Sequence, residues 1–456
     1  MFKTFINAWK VPELRKKILY TLLLLAIFRF GSFITAPGVD AALLSKISSS
    51  SALVSTVNII TGGAFSNLSI FAMSISPYIT ASIVIQLLTF AIPALENISK
   101  DGEQGRKKIS AYTRYAAVVL AAIEAFALYL TYRGQGVFLS NGILSPMLFV
   151  LSLTAGSTLL MWIGEQISSR GIGNGISLLI FAGIVSGLPA AGEYLYDVAV
   201  NGIISNGVAV VAGLAAGKPW GLLISLAVIL GAILLIAGVV WVTESERRVS
   251  VQYAKRVVGR KMYGGQNTYI PMKLNMAGVM PVIFAMSFMQ FPAMIIQLIN
   301  SDVATSTGFW ANVYKVFAFT SIDWTAVALG EKLGYGLVHI LIYLILIVAF
   351  TFFYTVAMAF NTYDVSENLR KNGGFIPGVR AGKPTKEFLD SILHNITAFG
   401  AIFLGIIAVL PILTAFAGLS ISFGGTAILI VVGVALESVK QLESQMLTRH
   451  YKGFLE

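Results

Sequence analysis

Residues 244–273, ESERRVSVQYAKRVVGRKMYGGQNTYIPMK, form a strongly basic segment between two long apolar runs at 219–243 and 274–298. The segment contains seven Lys and Arg residues but only two Glu residues. A transmembrane helix needs about 20 mostly apolar residues, and both neighbouring runs reach that length. The pattern predicts a polytopic membrane protein with a large basic loop on one side, where a partner would dock.

The composition excludes a soluble globular protein. The chain is 56% hydrophobic and 12% charged, with a mean hydropathy of +0.80, whereas soluble domains carry about 25% charged residues. There is no cysteine, which excludes disulfides and thiol chemistry, and three histidines offer little for a metal site. We therefore expect no cofactor and no metal.

Ten apolar segments are candidate membrane spans, of which the fifth and tenth are short. They cover residues 18–36, 68–94, 110–132, 147–167, 174–190, 219–243, 274–298, 335–360, 391–411 and 424–441.

The basic residues indicate how these spans are oriented. Of the 32 Lys and Arg residues, 26 lie in the N-terminal tail, the loops after even-numbered spans, the C-terminal tail, or the ends of the spans that adjoin them, where Arg114 and Lys440 lie. By the positive-inside rule, both termini are cytosolic and the number of spans is even. The net charge of +11 is then explained by topology and by attraction to anionic lipids. The charge density of 244–273 additionally favours an acidic or polyanionic partner.

Some polar features within the apolar regions have more than one explanation. Segment 53–67, LVSTVNIITGGAFSN, is too polar and glycine-rich to span, so it is either an external loop or a short re-entrant segment shielded by protein. Glu124 lies in the middle of a span, where it is either a relay residue or a carboxylate facing a helix or water. GIGNG at 171–175 lacks the strand and lysine of a phosphate loop, which favours a tight turn. No Ser–His–Asp or HExxH pattern indicates catalysis.

Six motifs together resemble the SecY/Sec61 family of protein-translocation channels, in the family's order and over essentially the whole chain. They are DGEQGRKKISAYTRY (101–115), WIGEQISSRGIGNGISLLIFAGI (162–184), ERRVSVQYAKR (246–256), NMAGVMPVIFA (275–285), GFIPGVR (374–380) and FGGT (423–426).

The resemblance implies an all-α fold of ten transmembrane helices, in two pseudo-symmetric halves (spans 1–5 and 6–10) around an hourglass pore. The opening between spans two and three and spans seven and eight would be a lateral gate. The expected regions are a cytosolic N-terminal tail (1–17), an N-terminal half (18–190), an external linker (191–218), a C-terminal half (219–441) with cytosolic loops 244–273 and 361–390, and a cytosolic C-terminal tail (442–456).

The resemblance also assigns roles to particular residues. Branched apolar side chains would form a dewetted pore ring that resists ions but yields to a passing chain, and Met280 stands near it where the family often has isoleucine. The ring would consist of Ile75, Ile79, Ile176, Ile180, Ile283 and Ile430. Segment 53–67 matches the plug that rests on this ring, which favours the re-entrant interpretation; its residues include Val57, Ile59, Ile60, Gly62, Gly63 and Phe65. Polar positions lining the lateral gate would be Thr80, Gln86 and Asn275.

The basic loops would dock partners. Family members bind the motor ATPase SecA or the ribosome there, and this chain offers Arg247, Arg248, Lys255, Arg256, Arg260 and Arg380. Other expected partners are SecE, SecG, YidC, SecDF, the signal sequences of preproteins and anionic lipids. The expected location is the bacterial cytoplasmic (plasma) membrane.

The expected function is that of a gated channel with no enzymatic chemistry of its own. It would pass unfolded preproteins across the membrane and release transmembrane segments sideways into lipid. Two other classes remain open. A secondary transporter would need a polar midplane site, for which the chain offers Glu124. A receptor that only tethers ribosomes through 244–273 would need neither ring nor plug.

Overall fold

The computed structural model describes most of the chain, and the account below is confined to that part. The described residues are 2–40, 63–133, 136–138, 142, 144–201, 218–253, 256–258, 261–263, 267–299, 303, 308–319, 329–356, 360–416 and 425–452.

Long helices dominate the described residues. In chain order they are α1 (Phe2–Lys10), α2 (Pro12–Gly31), α3 (Ser76–Ala91), α4 (Pro93–Lys100), α5 (Gly102–Arg133), α6 (Leu144–Arg170), α7 (Gly175–Ser186), α8 (Leu188–Asn201), α9 (Lys218–Glu244), α10 (Met280–Ile299), α11 (Phe309–Phe317), α12 (Leu329–Tyr354), α13 (Thr362–Lys371), α14 (Lys383–Phe416) and α15 (Gly425–Lys452).

Each of the ten predicted spans coincides with a helix, but not all ten meet the requirements of a span. Among the described residues, eight helical segments are long and apolar enough to cross a membrane. The bent pair α3–α4, with 102° between its parts, would make nine. The predicted first span falls on α2, which has four Lys and Arg residues between Arg15 and Arg29. The membrane class is confirmed, while the count of ten spans stays a prediction.

The expected loops and tails are more ordered than the sequence interpretation assumed. The tail at 1–17 contains α1 and the start of α2, and α8 continues into the predicted linker at 191–218. At the other end of the chain, α15 runs past the predicted start of the tail at 442.

The basic segment 244–273 is not an irregular loop, which corrects the purely helical picture. It forms β1 (Glu246–Tyr253), β2 (Arg256–Val258), β3 (Lys261–Tyr263) and β4 (Asn267–Lys273), and the second basic segment adds β5 (Gly374–Phe375). The strand order is β4-β1-β5, and both pairings are antiparallel. Val249 and Val251 are buried while Ser250 is exposed, which is the alternation of a strand with one face on a core.

The helices pack around two large apolar clusters, and each cluster includes residues from both halves of the chain. One is built mainly from α9, α10, α12, α14 and α15, and the other from α2, α6, α7 and α15. The halves meet where α10 packs against α3 and α5, and where α15 packs against α7. The sheet lies at one end of this bundle, where α9 ends and α14 begins; we call it the basic end.

Candidate functional site

An apolar cluster that contains the isoleucines of the expected ring lies where helices of both halves converge. The six isoleucines that the sequence analysis singled out belong to one cluster, although they come from α3, α7, α10, α15 and the residue before α3. Ile75, Ile180, Ile283 and Ile430 are buried there, and Ile79 and Ile176 pack against them. Met280 packs against the same cluster. These isoleucines come from several separate helices, so only the tertiary fold brings their side chains together.

Local signals fix the helix that carries two of these isoleucines. Gly173 has a φ of +81°, which suits glycine because a Cβ would be strained there. Asn174 then caps α7, its side chain accepting hydrogen bonds from the backbone N–H groups of Ile176 and Ser177 at 3.1 and 3.4 Å. The glycine-rich GIGNG sequence is therefore a tight turn and helix cap, as its pattern indicated.

The described end of the expected plug touches the ring. Ala64 is fully buried in the isoleucine cluster, and Phe65 is buried beside it in a neighbouring cluster. Gly63 has a φ of +86°, which marks a turn. Val57, Ile59, Ile60 and Gly62, which the sequence analysis assigned to the same plug, lie outside the described residues.

A packed seam separates the halves beside the ring. Ile83 of α3 is buried in the same cluster as Val282 and Met289 of α10. Nearer the basic end, Phe90 of α3 lies edge to face with Phe353 of α12, with 5.1 Å between ring centroids. The predicted gate helices are therefore in contact, and their contact is mainly apolar.

The predicted polar gate residues do not form hydrogen bonds to one another. Thr80 donates to the carbonyl of Ser76 at 3.2 Å, and the Gln86 amide donates to Ser82 at 3.2 Å, both within α3. Gln86 Oε1 and Asn275 Oδ1 are buried and accept no hydrogen bond from the described residues. Thr80 and Gln86 lie on α3, whereas Asn275 precedes α10, which begins at Met280.

At the basic end, arginine side chains are exposed on and near the β-sheet. Arg248 donates from Nε to Oε1 of Glu246 at 2.7 Å, and its guanidinium lies 4.8 Å from the ring centroid of Tyr269. The hydrogen bond to Glu246 raises the pKa of Arg248 above its ordinary value. Arg247 and Arg380 are exposed. Of the other predicted docking residues, Arg256 lies in β2, while Lys255 and Arg260 fall outside the described residues.

Sequence reasoning missed two features of this end. It did not identify the sheet, although the alternating pattern of VSVQY in β1 was a usable signal. It also missed two ion pairs between distant residues, since pairing across many residues has no local signature. Arg114 Nε lies 2.7 Å from Glu165 Oε1, and Lys440 Nζ lies 2.7 Å from Glu244 Oε1.

Glu124 lies on α5 between two buried positions, Ala121 and Ala125, and is itself only partly exposed. It is the one acidic residue that the sequence analysis found in the middle of a span. The described residues show no cluster of His, Asp and Glu that could hold a metal ion.

Comparisons with known proteins identify relatives over nearly the whole chain. The SecY family model matches residues 69–439. The chain is 41% identical over 472 residues to "Protein translocase subunit SecY" of Streptomyces scabiei, covering 100% of both proteins. It is 40% identical over 475 residues to the protein of the same name from Mycobacterium tuberculosis, again covering 100% of both.

Solved structures share the fold. A structure described as a protein conducting channel matches with a TM-score of 0.61 and 18% identity, covering 95% of this chain and 92% of the other. Sec61 in a canine ribosome-channel complex from the endoplasmic reticulum matches with a TM-score of 0.57 and 17% identity, with the same coverage.

Proposed function

This chain belongs to the SecY family, and on that premise we propose that it is the pore subunit of a gated protein-conducting channel. The observation that carries the proposal is the apolar ring, in which six isoleucines from both halves of the chain meet in one cluster. Relatives that are about 40% identical over their full length carry the name protein translocase subunit SecY. The channel passes unfolded preproteins and does no covalent chemistry.

The ring acts as a seal because it offers no polar groups to replace the hydration shell of an ion. A narrow apolar constriction excludes water and ions by dewetting. A passing polypeptide displaces the same side chains whatever its sequence, since they form no directional bonds. At rest the expected plug closes the ring, and Ala64, one of its described residues, is buried in the isoleucine cluster.

The seam between α3 on one side and α10 and α12 on the other provides the sideways exit. Its contacts include apolar packing of Ile83 against α10 and the edge-to-face pair of Phe90 with Phe353 of α12. An apolar signal sequence or transmembrane segment replaces these contacts with similar ones, so the seam opens at little cost when such a segment arrives. Polar chains gain nothing at the seam and continue through the ring.

The basic end faces the cytosol and docks the partner that drives transport. Its exposed arginines favour acidic protein surfaces or RNA phosphates, which fits SecA and the ribosome. Related channels, a canine Sec61 and a yeast Ssh1 complex, have been seen bound to ribosomes. SecE and SecG complete the channel, YidC and SecDF cooperate with it, and the bacterial plasma membrane is its location. Energy comes from the docked partner and from the membrane potential, about 2.3 kcal/mol per charge per 100 mV.

The experiment is uptake and ion leakage in proteoliposomes that contain this chain with its SecE and SecA. We compare wild type with a deletion of residues 57–66 and with Arg380→Glu. Lys383→Glu is the matched control because it reverses an exposed charge three residues away. The deletion should leak ions, and Arg380→Glu should block ATP-driven uptake with the seal intact, while the control behaves like wild type.

If wild type takes up no preprotein and instead transports a small solute in a Glu124-dependent way, the channel hypothesis is wrong and the transporter hypothesis is supported. If the deletion of residues 57–66 does not change ion leakage, the hypothesis of a receptor that only tethers ribosomes is supported instead.

A further inference from the structure

Helix α11 lies between the end of α10 and the start of α12, far from the basic end of the bundle, and packs against both helices. Its nine residues extend about 14 Å, which is too short to cross a hydrocarbon core about 30 Å thick. Length alone would therefore place α11 in an external loop. Its contacts with α12 show where it lies relative to the membrane.

The contacts between α11 and α12 advance in step along both helices. Tyr335 donates from its hydroxyl to Oδ1 of Asn312 at 2.9 Å, and His339 donates from Nδ1 to the carbonyl oxygen of Val316 at 2.7 Å. On each helix the second contact follows the first by four residues, which is about one turn. Helix α11 therefore runs beside the first turns of α12 and in the same direction.

This direction takes the chain into the apolar layer. The membrane span of α12 begins at Gly330, and His339, nine residues further on, lies about 14 Å along the helix axis. Just after α11, the ring of Phe319 is buried with its centroid 5.6 Å from that of His339, in the same apolar cluster as Tyr343. Helix α11 thus begins near the outer end of the span and ends well inside it.

The inner end of α11 is satisfied by hydrogen bonds. The last four carbonyl groups of a helix have no partner within the helix, and such groups are tolerated at membrane depth only where protein shields them. The buried ring of His339 donates to the Val316 carbonyl, and the backbone N–H of Ala318 donates to the carbonyl of Tyr314 at 2.8 Å. The helix end therefore meets the requirement for backbone that lies inside a membrane.

The polar side chains of α11 are directed at the protein. Asn312 accepts the hydrogen bond from Tyr335, and Nζ of Lys315 lies 5.9 Å from the ring centroid of the same tyrosine. On another side of the helix, Ala311 and Tyr314 are buried against α10. These contacts account for the two sides of α11 that face its neighbouring helices.

The remaining side of α11 is entirely apolar. Phe309 and Trp310 are 73% and 66% exposed, and their rings lie edge to face with 5.5 Å between centroids. Val313 and Phe317 continue this side at helical spacing and are partly exposed; we call the four residues the apolar face of α11. A helix in water exposes a polar face and buries an apolar one, which is the reverse of this arrangement.

We propose that α11 is a re-entrant helix and that lipid of the leaflet farther from the basic end covers its apolar face. The face continues the lipid-facing surface of the adjoining spans, where Ile299 of α10 and Leu337 of α12 are exposed. Aromatic side chains, tryptophan above all, favour the boundary between headgroups and acyl chains, and Trp310 lies at the outer end of α11. The inference concerns membrane position, so it does not depend on the proposed channel function.

Spin labels test which medium covers the apolar face. The chain has no cysteine, so Phe309→Cys and Trp310→Cys accept labels selectively in the full chain with its SecE in proteoliposomes. We measure label collisions with oxygen, which concentrates in lipid, and with a nickel chelate, which stays in water. Leu337→Cys is the lipid reference, and Tyr363→Cys of α13, at a similarly exposed position near the basic end, is the water reference.

Both labels on α11 should resemble the lipid reference. Their ratio of oxygen to nickel collisions should be severalfold higher than that of the label at Tyr363. A ratio equal to the water reference would overturn the proposal, because the helix would then lie in an aqueous loop. Low collision rates with both reagents would also overturn it, because a protein surface would then cover the face.

A second measurement keeps the native helix and does not rely on labels. The difference in fluorescence between wild type and Trp310→Phe isolates the emission of Trp310 from that of the other tryptophans. Vesicles of lipid brominated near the headgroup should quench this difference strongly, compared with vesicles of the same lipid without bromine. Equal emission in the two kinds of vesicle would overturn the proposal. Neither measurement involves preprotein uptake, so a failure of the proposed function is distinguishable from a failure of this inference.

Discussion

Phe90 of α3 and Phe353 of α12 lie edge to face across the seam between the two halves, with 5.1 Å between their ring centroids. This pair is an aromatic contact between the helices on either side of the proposed lateral gate. It lies near the ends of α3 and α12 that face the basic end of the bundle. The contact therefore contributes directly to the balance between the closed and the open gate.

We expect Phe90→Ala to favour the open gate. An edge-to-face pair contributes about 0.5–1.5 kcal/mol beyond its buried area, so the closed-to-open ratio should fall by up to about tenfold. The measurement is uptake of preproteins with weakened signal sequences, which the variant should accept more readily than wild type. Phe399→Ala is the control, because both rings are 49% exposed and Phe399 lies on α14, away from the seam.

Replacing ring isoleucines by serine should make the resting channel leak. Ile180 and Ile283 are only 3% and 8% exposed within the ring cluster, and a hydroxyl at either position gives water a partner there. Single-channel recording of Ile180→Ser and Ile283→Ser should show a severalfold higher resting conductance. Ile402→Ser, at a site that is 62% exposed, should not leak; equal leakage from all three would mean general destabilisation.

The turn before α7 should be essential for stability. Asn174→Ala removes the side-chain cap and should cost about 1 kcal/mol. Gly175→Ala should cost more, because the added Cβ would collide with the carbonyl oxygen of Gly164. Thermal unfolding in detergent, followed by intrinsic fluorescence, measures both losses.

Gly192→Ala is the control for the Gly175 substitution, since a Cβ there meets nothing within 4 Å and alanine favours helix. It should be neutral or stabilising. If Gly175→Ala were equally neutral, the close approach of α6 and α7 would be wrong.

Lys273 should report on the contact between β4 and α15. Partial burial of its ammonium group lowers its pKa, and the positive charge of Lys440 lowers it further. In Lys440→Met, the pKa of Lys273 should therefore rise toward its ordinary value of 10.5. NMR of ¹³C-methylated lysines measures this directly.

The sign of the pH effect follows from this shift. Because the pKa of Lys273 is lower in the folded than in the unfolded chain, the unfolded chain binds more protons between the two values. The free energy of unfolding should rise as pH increases through that window up to 10.5, and this rise should shrink in Lys273→Met. An identical pH profile in that variant would contradict the assignment.

Hydropathy and charge identified the membrane class, the approximate helices and the basic segments. These properties are local, so they can be read along the chain. The first predicted span, which falls on α2, stays a prediction, because α2 is long enough to span but has four Lys and Arg residues between Arg15 and Arg29. The strand β1 of the basic segment could also have been predicted, since Val249 and Val251 alternate with polar residues.

The clustering of the six isoleucines could be expected only through the resemblance to the family. Isoleucine at helical spacing is ordinary in a membrane helix, and nothing in the residues around Ile180 distinguishes it from a lipid-facing side chain. The polar gate residues show the same limit: the resemblance predicted that Gln86 and Asn275 line the gate, but it did not predict that their buried side-chain oxygens accept no hydrogen bond from the described residues.

The sequence by itself determined that this chain spans a membrane, that one end of the bundle is basic, and that α7 begins after a capped turn at Asn174. Only the tertiary structure brought Ile75, Ile283 and Ile430 into one cluster and paired Gly374 with Tyr253 across more than a hundred residues. The physical reason is the range of the interactions. Apolar length and helix capping act within a few residues, whereas a pore ring and a shared sheet exist only when distant segments pack together.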